Sequence, residues 1–167
     1  MKPIVLILFF FAACGAALPG IADEIKVDGI EILAYGEFKA TSLTTKDAEN
    51  TSLGKMTVLK DIELVKQSNI IDADTGTQFG VKYFVKGSPK GTNVALSVRL
   101  LHPATSNPDR KNSSTSETWV ANAKVGSANY SGWIFEYAWE LVPGDWTLQL
   151  YYKDQKMLEK KFLVRRK

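Results

Sequence analysis

The sequence has a single cysteine, Cys14, and a single histidine, His102, among its 167 residues. A chain that begins at Asp23 has no cysteine and therefore no disulfide bond. A Ser-His-Asp or Cys-His arrangement would have to use His102, and no Gly-x-Ser-x-Gly sequence supplies a serine nucleophile. We therefore expect His102 to be a surface or capping residue at a strand end, and we expect no enzymatic activity and no cofactor.

Long hydrophobic runs are also missing. The longest one, Ile4–Ala13, has 10 residues, whereas a membrane-spanning helix needs about 20. Lys2 precedes the run, and small residues that include Ala22 follow it. This pattern predicts a secretory signal peptide over residues 1–22, cleaved between Ala22 and Asp23. The protein is therefore expected to be periplasmic or secreted.

Cys14 allows a second route of processing. It follows Phe-Ala-Ala at the end of the apolar run, which is similar to the lipidation site of bacterial lipoproteins. Phe11 stands where leucine is usual in such sites, so the pattern favours cleavage between Ala22 and Asp23 over lipidation of Cys14. The sequence alone leaves both routes open. Either route leaves one domain, and residues 23–167 are numerous enough to bury about two-thirds of their unfolded surface.

Neither charge sign dominates the chain. The formal net charge is +3, positive and negative residues alternate, and the one basic cluster is Lys-Lys-Phe-Leu-Val-Arg-Arg-Lys at the C-terminus. A nucleic-acid-binding protein would show a basic stripe with interleaved aromatic residues. We expect no nucleic-acid partner, and we interpret the basic cluster as protection of an edge strand against pairing with neighbours.

Helical periodicity is absent, and apolar residues recur at every second position instead. In Gly-Trp-Ile-Phe-Glu-Tyr-Ala-Trp-Glu-Leu, the aromatic residues Trp133, Phe135, Tyr137 and Trp139 fall on one face. The segment beginning at Asn93 alternates in the same way. Such alternation is typical of half-buried strands, and together with regularly spaced turns it predicts an all-β sandwich or barrel of about 7–9 strands.

Turn residues separate these segments. Pro143-Gly144 suits the centre of a type II turn, in which glycine adopts the positive φ. Lys-Asp-Gln-Lys near the C-terminus predicts a hairpin turn at Asp154-Gln155. The segment Pro103 to Glu117 is polar and without periodicity, and we interpret it as a long exposed loop and as a candidate partner contact.

Three groups of turn and strand residues resemble a family of exported bacterial proteins that is known as a domain of unknown function. The groups are a Gly-Thr-x-Phe-Gly strand entry, a Gly-x-Pro-x-Gly turn and a final Glu-x-Val-Pro-Gly-x-Trp turn. They consist here of Gly76, Thr77, Phe79 and Gly80; of Gly87, Pro89 and Gly91; and of Glu140, Val142, Pro143, Gly144 and Trp146. The resemblance covers residues 76–164 and implies an immunoglobulin-like β-sandwich, with no catalytic residue.

Acidic residues recur in two places without matching a known metal or catalytic pattern. Asp72 and Asp74 have the spacing of a calcium loop, but the third ligand, the glycine and the final glutamate of an EF-hand are not where they are required. We interpret them as part of a turn. Glu136 and Glu140 in one strand would lie about 13 Å apart, too far to cooperate in glycoside hydrolysis, and we expect both to be solvated.

Aromatic residues offer the strongest candidate for ligand binding. Trp133, Trp139 and Trp146 lie on apolar strand faces, so core packing accounts for them. Five others are less clearly buried and form the candidate ligand surface: Tyr35, Phe84, Trp119, Tyr130 and Tyr151.

These features predict an exported, non-enzymatic binding or accessory module of the bacterial periplasm or cell envelope. Its predicted partner is another envelope protein, since sandwiches bind through end loops and exposed strand edges, and we expect a monomer or a weak oligomer. The alternative is a carbohydrate-binding module that uses exposed aromatic residues.

Overall fold

Alternating residues form strands throughout residues 24–166, which are the part of the chain that the computed structural model describes, apart from the side chains of residues 42, 43 and 112. In β5 the even-numbered residues from Val94 to Leu100 are buried, and the odd-numbered ones are exposed. The elements in chain order are β1 (Lys26–Asp47), β2 (Lys55–Lys66), β3 (Ile70–Ala73), β4 (Gln78–Ser88), β5 (Asn93–Asn107), β6 (Asn112–Lys124), β7 (Ala128–Ile134), a 3-10 turn (Ala138–Glu140), β8 (Gly144–Tyr152) and β9 (Gln155–Arg166). Cys14, Ala22 and Asp23 lie outside the described residues.

The nine strands form two sheets that face each other. Sheet I has the order β2-β1-β4-β7, and sheet II has the order β3-β9-β8-β5-β6. All neighbours are antiparallel except β3 and β9. The largest fully buried apolar side chains fill the space between the sheets: Trp146, Tyr83, Phe79, Phe135, Phe162, Ile71, Leu96, Leu100, Leu148 and Leu150. The predicted all-β sandwich is confirmed.

The second half of β1 leaves sheet I together with β2. β1 pairs with β4 only as far as Phe38, whereas its pairing with β2 continues to Asp47. We call residues 39–66 the arm. Its register shifts in several places, and such bulges increase the twist and bend a strand pair. At the tip of the arm, the Thr118 N–H of β6 donates a hydrogen bond to the Asn50 carbonyl at 3.1 Å. The arm therefore crosses from sheet I to the edge of sheet II.

The polar segment between Pro103 and Glu117 is not a loop. β5 continues to Asn107 and β6 begins at Asn112, so only residues 108–111 connect them. The hairpin is paired through Thr105 and Ser114. The prediction was wrong because backbone hydrogen bonds hold a strand pair without apolar side chains, so this end of the hairpin shows no hydrophobic alternation.

Two further local predictions differ from the structure. β7 ends at Ile134, so Tyr137 and Trp139 belong to a turn and not to a strand. The hairpin turn between β8 and β9 lies one residue earlier than predicted, at Lys153-Asp154, and these two residues have φ values of 46° and 64°. The positive φ predicted for Gly144 is confirmed at 136°.

Candidate binding groove

A groove of about 440 Å³ lies where the arm crosses the edges of the two sheets. β2 forms one wall, β7 of sheet I forms the second, and β6 of sheet II forms the third. Its apolar and aromatic lining includes Leu53, Met56, Val58, Leu59, Ile62, Trp119, Val120, Tyr130, Trp133 and Ile134. The polar and charged residues of the lining are Lys46, Thr51, Lys55, Thr57, Asn122, Ser131 and Glu136. This volume and lining are typical of sites that bind ligands through shape and apolar contact.

Two strand edges without charged residues face this groove. β6 and β7 are the terminal strands of their sheets, and neither residues 119–123 nor residues 128–134 include a charged side chain or a proline. The Phe135 N–H donates to the Thr77 carbonyl at 3.0 Å. Because antiparallel bonding alternates along a strand, the backbone groups of Ile134, Gly132 and Tyr130 point away from β4, toward the open edge.

Tyr130 is held flat across the face of β7 by two glycines. Gly80 and Gly132 are direct partners in β4 and β7, and a Cβ atom on Gly132 would overlap the Tyr130 hydroxyl and the Phe79 carbonyl. That hydroxyl donates to the Phe79 carbonyl at 3.1 Å and accepts from Gln78 Nε2 at 3.1 Å. The ring therefore forms a fixed part of the groove wall.

A buried carboxylate lies in the turn that follows β7. Glu140 is 1% exposed, and its Oε2 accepts the N–H groups of Glu136 and Tyr137 at 2.7 and 2.8 Å. Thr57 of the arm donates to Glu136 Oε1 at 3.1 Å. The expectation that Glu140 is solvated was wrong, because the chain folds into a 3-10 turn here and brings the Glu140 carboxylate onto the N–H groups of Glu136 and Tyr137. Glu136 is half-buried.

Burial, with a smaller contribution from the nearby Glu136 carboxylate, raises the pKa of Glu140 to about 7 against the lowering effect of the two backbone N–H groups. The folded state therefore binds this proton more tightly than the unfolded chain. Below about pH 4.5 Glu140 is protonated in both the folded and the unfolded state, so its burial does not lower the free energy of unfolding. As pH rises from there through the folded pKa, the free energy of unfolding falls, and above that pKa the penalty is constant.

Glu140→Gln should remove this pH dependence. We expect the wild-type free energy of unfolding to fall by roughly 2–3 kcal/mol relative to the variant between pH 4.5 and pH 8. Urea unfolding of both proteins across that range measures the difference, with the exposed Glu63→Gln as control. A wild-type-minus-variant difference that is the same at pH 5 and pH 8 would contradict the assignment.

A second buried polar cluster fastens the tip of the arm. Glu117 Oε2 accepts a short hydrogen bond from the Ser52 N–H, and Asn107 Nδ2 donates to the Ser52 carbonyl at 3.0 Å. Glu117 Oε1 lies 3.3 Å from His102 Nε2, and both side chains are 1% exposed. His102 is therefore a buried residue, contrary to the surface position expected from the sequence. Its ring lies beside Glu117, the residue that binds the arm tip.

The five aromatic residues predicted as a ligand surface are separated in the structure. Trp119 is buried and Tyr130 is half-buried, and both line the groove. Tyr35 lies under the Lys160 ammonium, which is 3.3 Å from its ring centre. Phe84 is on β4 of sheet I, whereas Tyr151 is on β8 of sheet II beside Arg99. They do not form one exposed row; only two contribute to the groove.

The sequence did not reveal the contribution of the arm to this site. Met56, Val58 and Ile62 recur at even-numbered positions, as in any half-buried strand, and this alternation does not show that they line an open groove. Trp133 was assigned to the core; it lies 6.0 Å from Trp119, measured between ring centres, and shares the groove wall with it. The uncharged sequence of β7 was the one available signal.

Metal binding and membrane spanning receive no support within residues 24–166. No group of three or more His, Cys, Asp or Glu side chains in this part of the chain is arranged to hold a metal ion. Asp72 lies in β3 and pairs with Lys66 at 3.4 Å, and Asp74 lies in the turn that follows. None of the helices in these residues has the length and hydrophobicity to cross a bilayer.

Comparison with known proteins places the chain in a family. Residues 26–164 match the family described as Domain of unknown function (DUF3859). The structure is similar to the crystal structure of an immunoglobulin-like protein from Pseudomonas aeruginosa, with 26% sequence identity and a TM-score of 0.59, over 87% of this chain and 100% of that one. No curated protein matches the chain. The fold is thus the immunoglobulin-like β-sandwich that the turn residues implied, and the chain belongs to the DUF3859 family.

Proposed function

We propose that this protein is an exported, non-enzymatic binding module of the bacterial periplasm or cell envelope, and that it holds an extended segment of another envelope protein in the groove. The observation that supports the proposal most strongly is the pair of uncharged edge segments, residues 119–123 of β6 and residues 128–134 of β7, that face an apolar groove. Export is supported by the apolar run after Lys2, which is typical of a signal peptide.

Edge strands usually carry features that prevent pairing with other chains, and charged side chains are the commonest of these. β2, the other edge of sheet I, has charged residues at Lys60, Asp61 and Glu63, and the short edge strand β3 has Asp72. β7 has none. An unprotected edge beside an apolar groove favours addition of an extended peptide, whose backbone pairs with the edge while alternate side chains enter the groove.

The surroundings of the groove fit binding better than catalysis. Glu136 is the carboxylate that lines it, and its Oε1 is occupied by the Thr57 hydroxyl. His102 and Glu117, the one buried pair that resembles part of a catalytic triad, are sealed in the cluster at the arm tip. The groove thus offers apolar contact and backbone pairing.

Val120→Asp should weaken peptide binding at least tenfold, which corresponds to about 1.4 kcal/mol. Val120 is 59% exposed and lines the groove, so the change places a charge on the edge of β6 with little cost to folding. The probes are peptides selected from a random phage-displayed library against the purified protein. The matched control is Leu101→Asp, another exposed apolar residue of sheet II that does not line the groove.

Hydrogen exchange locates the binding site independently of the substitutions. A peptide that pairs with β7 should slow amide exchange at Tyr130, Gly132 and Ile134. Equal loss of binding in Val120→Asp and Leu101→Asp, or binding that leaves these three amides unprotected, would show that the groove is not the peptide site.

A further inference from the structure

A smaller depression of about 190 Å³ adjoins the groove. Leu53 and Lys55 line both, so the two are continuous. The depression lies between the arm, the connection from β5 to β6 and the 3-10 turn. Its remaining lining residues are Asn107, Asp109, Arg110, Tyr137 and Trp139. A ligand that fills the groove therefore meets a site of different composition at this end.

Two aromatic rings form one side of the depression. The rings of Tyr137 and Trp139 are stacked, with centres 5.9 Å apart and planes inclined by 13°, and Tyr137 is 41% exposed. Their position is fixed by Glu140, which accepts the Glu136 and Tyr137 N–H groups and so holds the turn. Two stacked aromatic rings at the surface supply a large contact area at a low cost in conformational entropy.

Arg110 and Lys55 supply positive charge on the opposite side. Within residues 24–166 neither of them lies within ion-pair distance of a carboxylate. Asp109 is the one carboxylate that lines the depression, so the local charge is positive overall. An arginine fork that no carboxylate occupies is suited to binding one through two parallel hydrogen bonds.

The Arg110 guanidinium is positioned before any ligand arrives. It packs against Gly54, where a Cβ atom would overlap Nη2, and its Nη1 lies 3.5 Å from the Thr51 carbonyl. Asn107 Oδ1 accepts the backbone N–H of Arg110 at 3.3 Å, which fixes the turn that carries the side chain. Such preorganisation lowers the entropic cost of binding an anion.

We infer that the segment bound in the groove is followed by a carboxylate, which Arg110 binds with the help of Lys55. This inference rests on the proposed function, because it assumes that the groove holds a polypeptide. The carboxylate is either the α-carboxylate of a chain end or the side chain of an aspartate or glutamate. The positive charge and the continuity with an apolar groove favour a peptide over a saccharide as the source of this group.

Three versions of one selected peptide separate the two sources. The first has a free C-terminal carboxylate, the second has a C-terminal amide, and the third has the amide together with an aspartate at the last position. We expect the amide to bind at least tenfold more weakly than the free carboxylate, and the aspartate to restore affinity if side-chain carboxylates are accepted. The difference in affinity between the free carboxylate and the amide should become smaller at high salt, because salt screens exposed charges.

Arg110→Gln should abolish this difference between the carboxylate and the amide, and Arg110→Lys should restore part of it, because lysine keeps the charge without the planar fork. The control is Arg99→Gln, an exposed arginine beside Tyr151 on the outer face of sheet II. It should leave the ratio of the two affinities unchanged.

The outcomes distinguish the inference from the proposed function. Equal binding of all three peptides at the groove, unaffected by Arg110→Gln, would overturn the carboxylate inference and leave the proposed function intact. Failure of every peptide to bind at the groove would overturn both. An oligogalacturonate probe that binds more tightly than any peptide and depends on Arg110 would assign the depression to acidic saccharides and overturn the inference.

Discussion

Glu117→Ala is expected to lower the free energy of unfolding by about 1–3 kcal/mol, since it leaves the buried Ser52 N–H without an acceptor. Glu117 is 1% exposed and is shared by two elements that are distant in sequence. Its Oε2 binds the Ser52 N–H at the arm tip, and its Oε1 lies 3.3 Å from His102 Nε2. The alanine would remove the acceptor of the Ser52 N–H and leave an empty space beside the His102 ring.

His102 has no alternative position when Glu117 is removed. Its Nδ1 lies 2.8 Å from the Pro103 carbonyl, and because a carbonyl only accepts, Nδ1 carries a proton and donates it. The ring is stacked on Trp146, with centres 4.7 Å apart. Nε2 therefore continues to face the position that the Glu117 carboxylate occupied.

The measurement is urea unfolding of Glu117→Ala, with the exposed Glu63→Ala as the control that should change stability by less than about 0.5 kcal/mol. Glu117→Gln should cost less than the alanine, because its amide oxygen can still accept the Ser52 N–H and its side chain fills the same space. Amide exchange at Ser52 reports the arm directly and should accelerate in the alanine variant. A loss below about 1 kcal/mol together with unchanged exchange at Ser52 would show that Glu117 does not fasten the arm.

The sandwich could be predicted from the sequence because its strands bury every second residue. The row from Val94 to Leu100 in β5 is buried as its pattern indicated, and Gly144 has the positive φ that its turn requires. Period-two burial is a local property, so one strand's sequence is enough to show it.

The groove could not be predicted, because it depends on contacts between residues that are distant in sequence. Ser52 and Glu117 are separated by 65 positions, and nothing in the sequence of the arm indicates where its tip docks. Thr57 and Glu136 are 79 positions apart, and their contact sets the other end of the same wall. Without these contacts, the alternation of Met56 and Ile62 is that of an ordinary half-buried strand.

The burial of Glu140 could not be predicted from the sequence for a different reason. A glutamate near Trp139 and Tyr137 in an alternating segment fits the solvated face of a strand equally well. The 3-10 turn reverses this assignment, because it places two backbone N–H groups around the carboxylate and exposes Tyr137 instead. Only the backbone path decides which of the two side chains is buried.

Gly132→Ala is expected to lower the free energy of unfolding by about 3 kcal/mol, the upper end for overpacking. Its Cβ atom would overlap the Phe79 carbonyl, which is backbone, and the Tyr130 hydroxyl. Tyr130 is held by bonds to Phe79 and Gln78. The strands must therefore separate or the ring must leave, and either change costs hydrogen bonds and reshapes the groove wall.

Gly29→Ala is the matched control, because Gly29 also lies in a strand of sheet I and a Cβ atom there would meet nothing within 4 Å. Alanine at that position should be neutral or slightly stabilising, since it restricts the unfolded chain. The double variant Tyr130→Ala with Gly132→Ala separates the two overlaps. If the Tyr130 phenol were the sole obstacle to a Cβ atom at position 132, the double variant would be as stable as Tyr130→Ala alone. Because the Phe79 carbonyl remains, we expect the double variant to be less stable than Tyr130→Ala by about 1 kcal/mol or more. Equal stability of Gly132→Ala and Gly29→Ala would show that β4 and β7 do not approach closely here. A much lower stability of Gly132→Ala than of Gly29→Ala would mean that the geometry of the groove wall requires glycine at position 132.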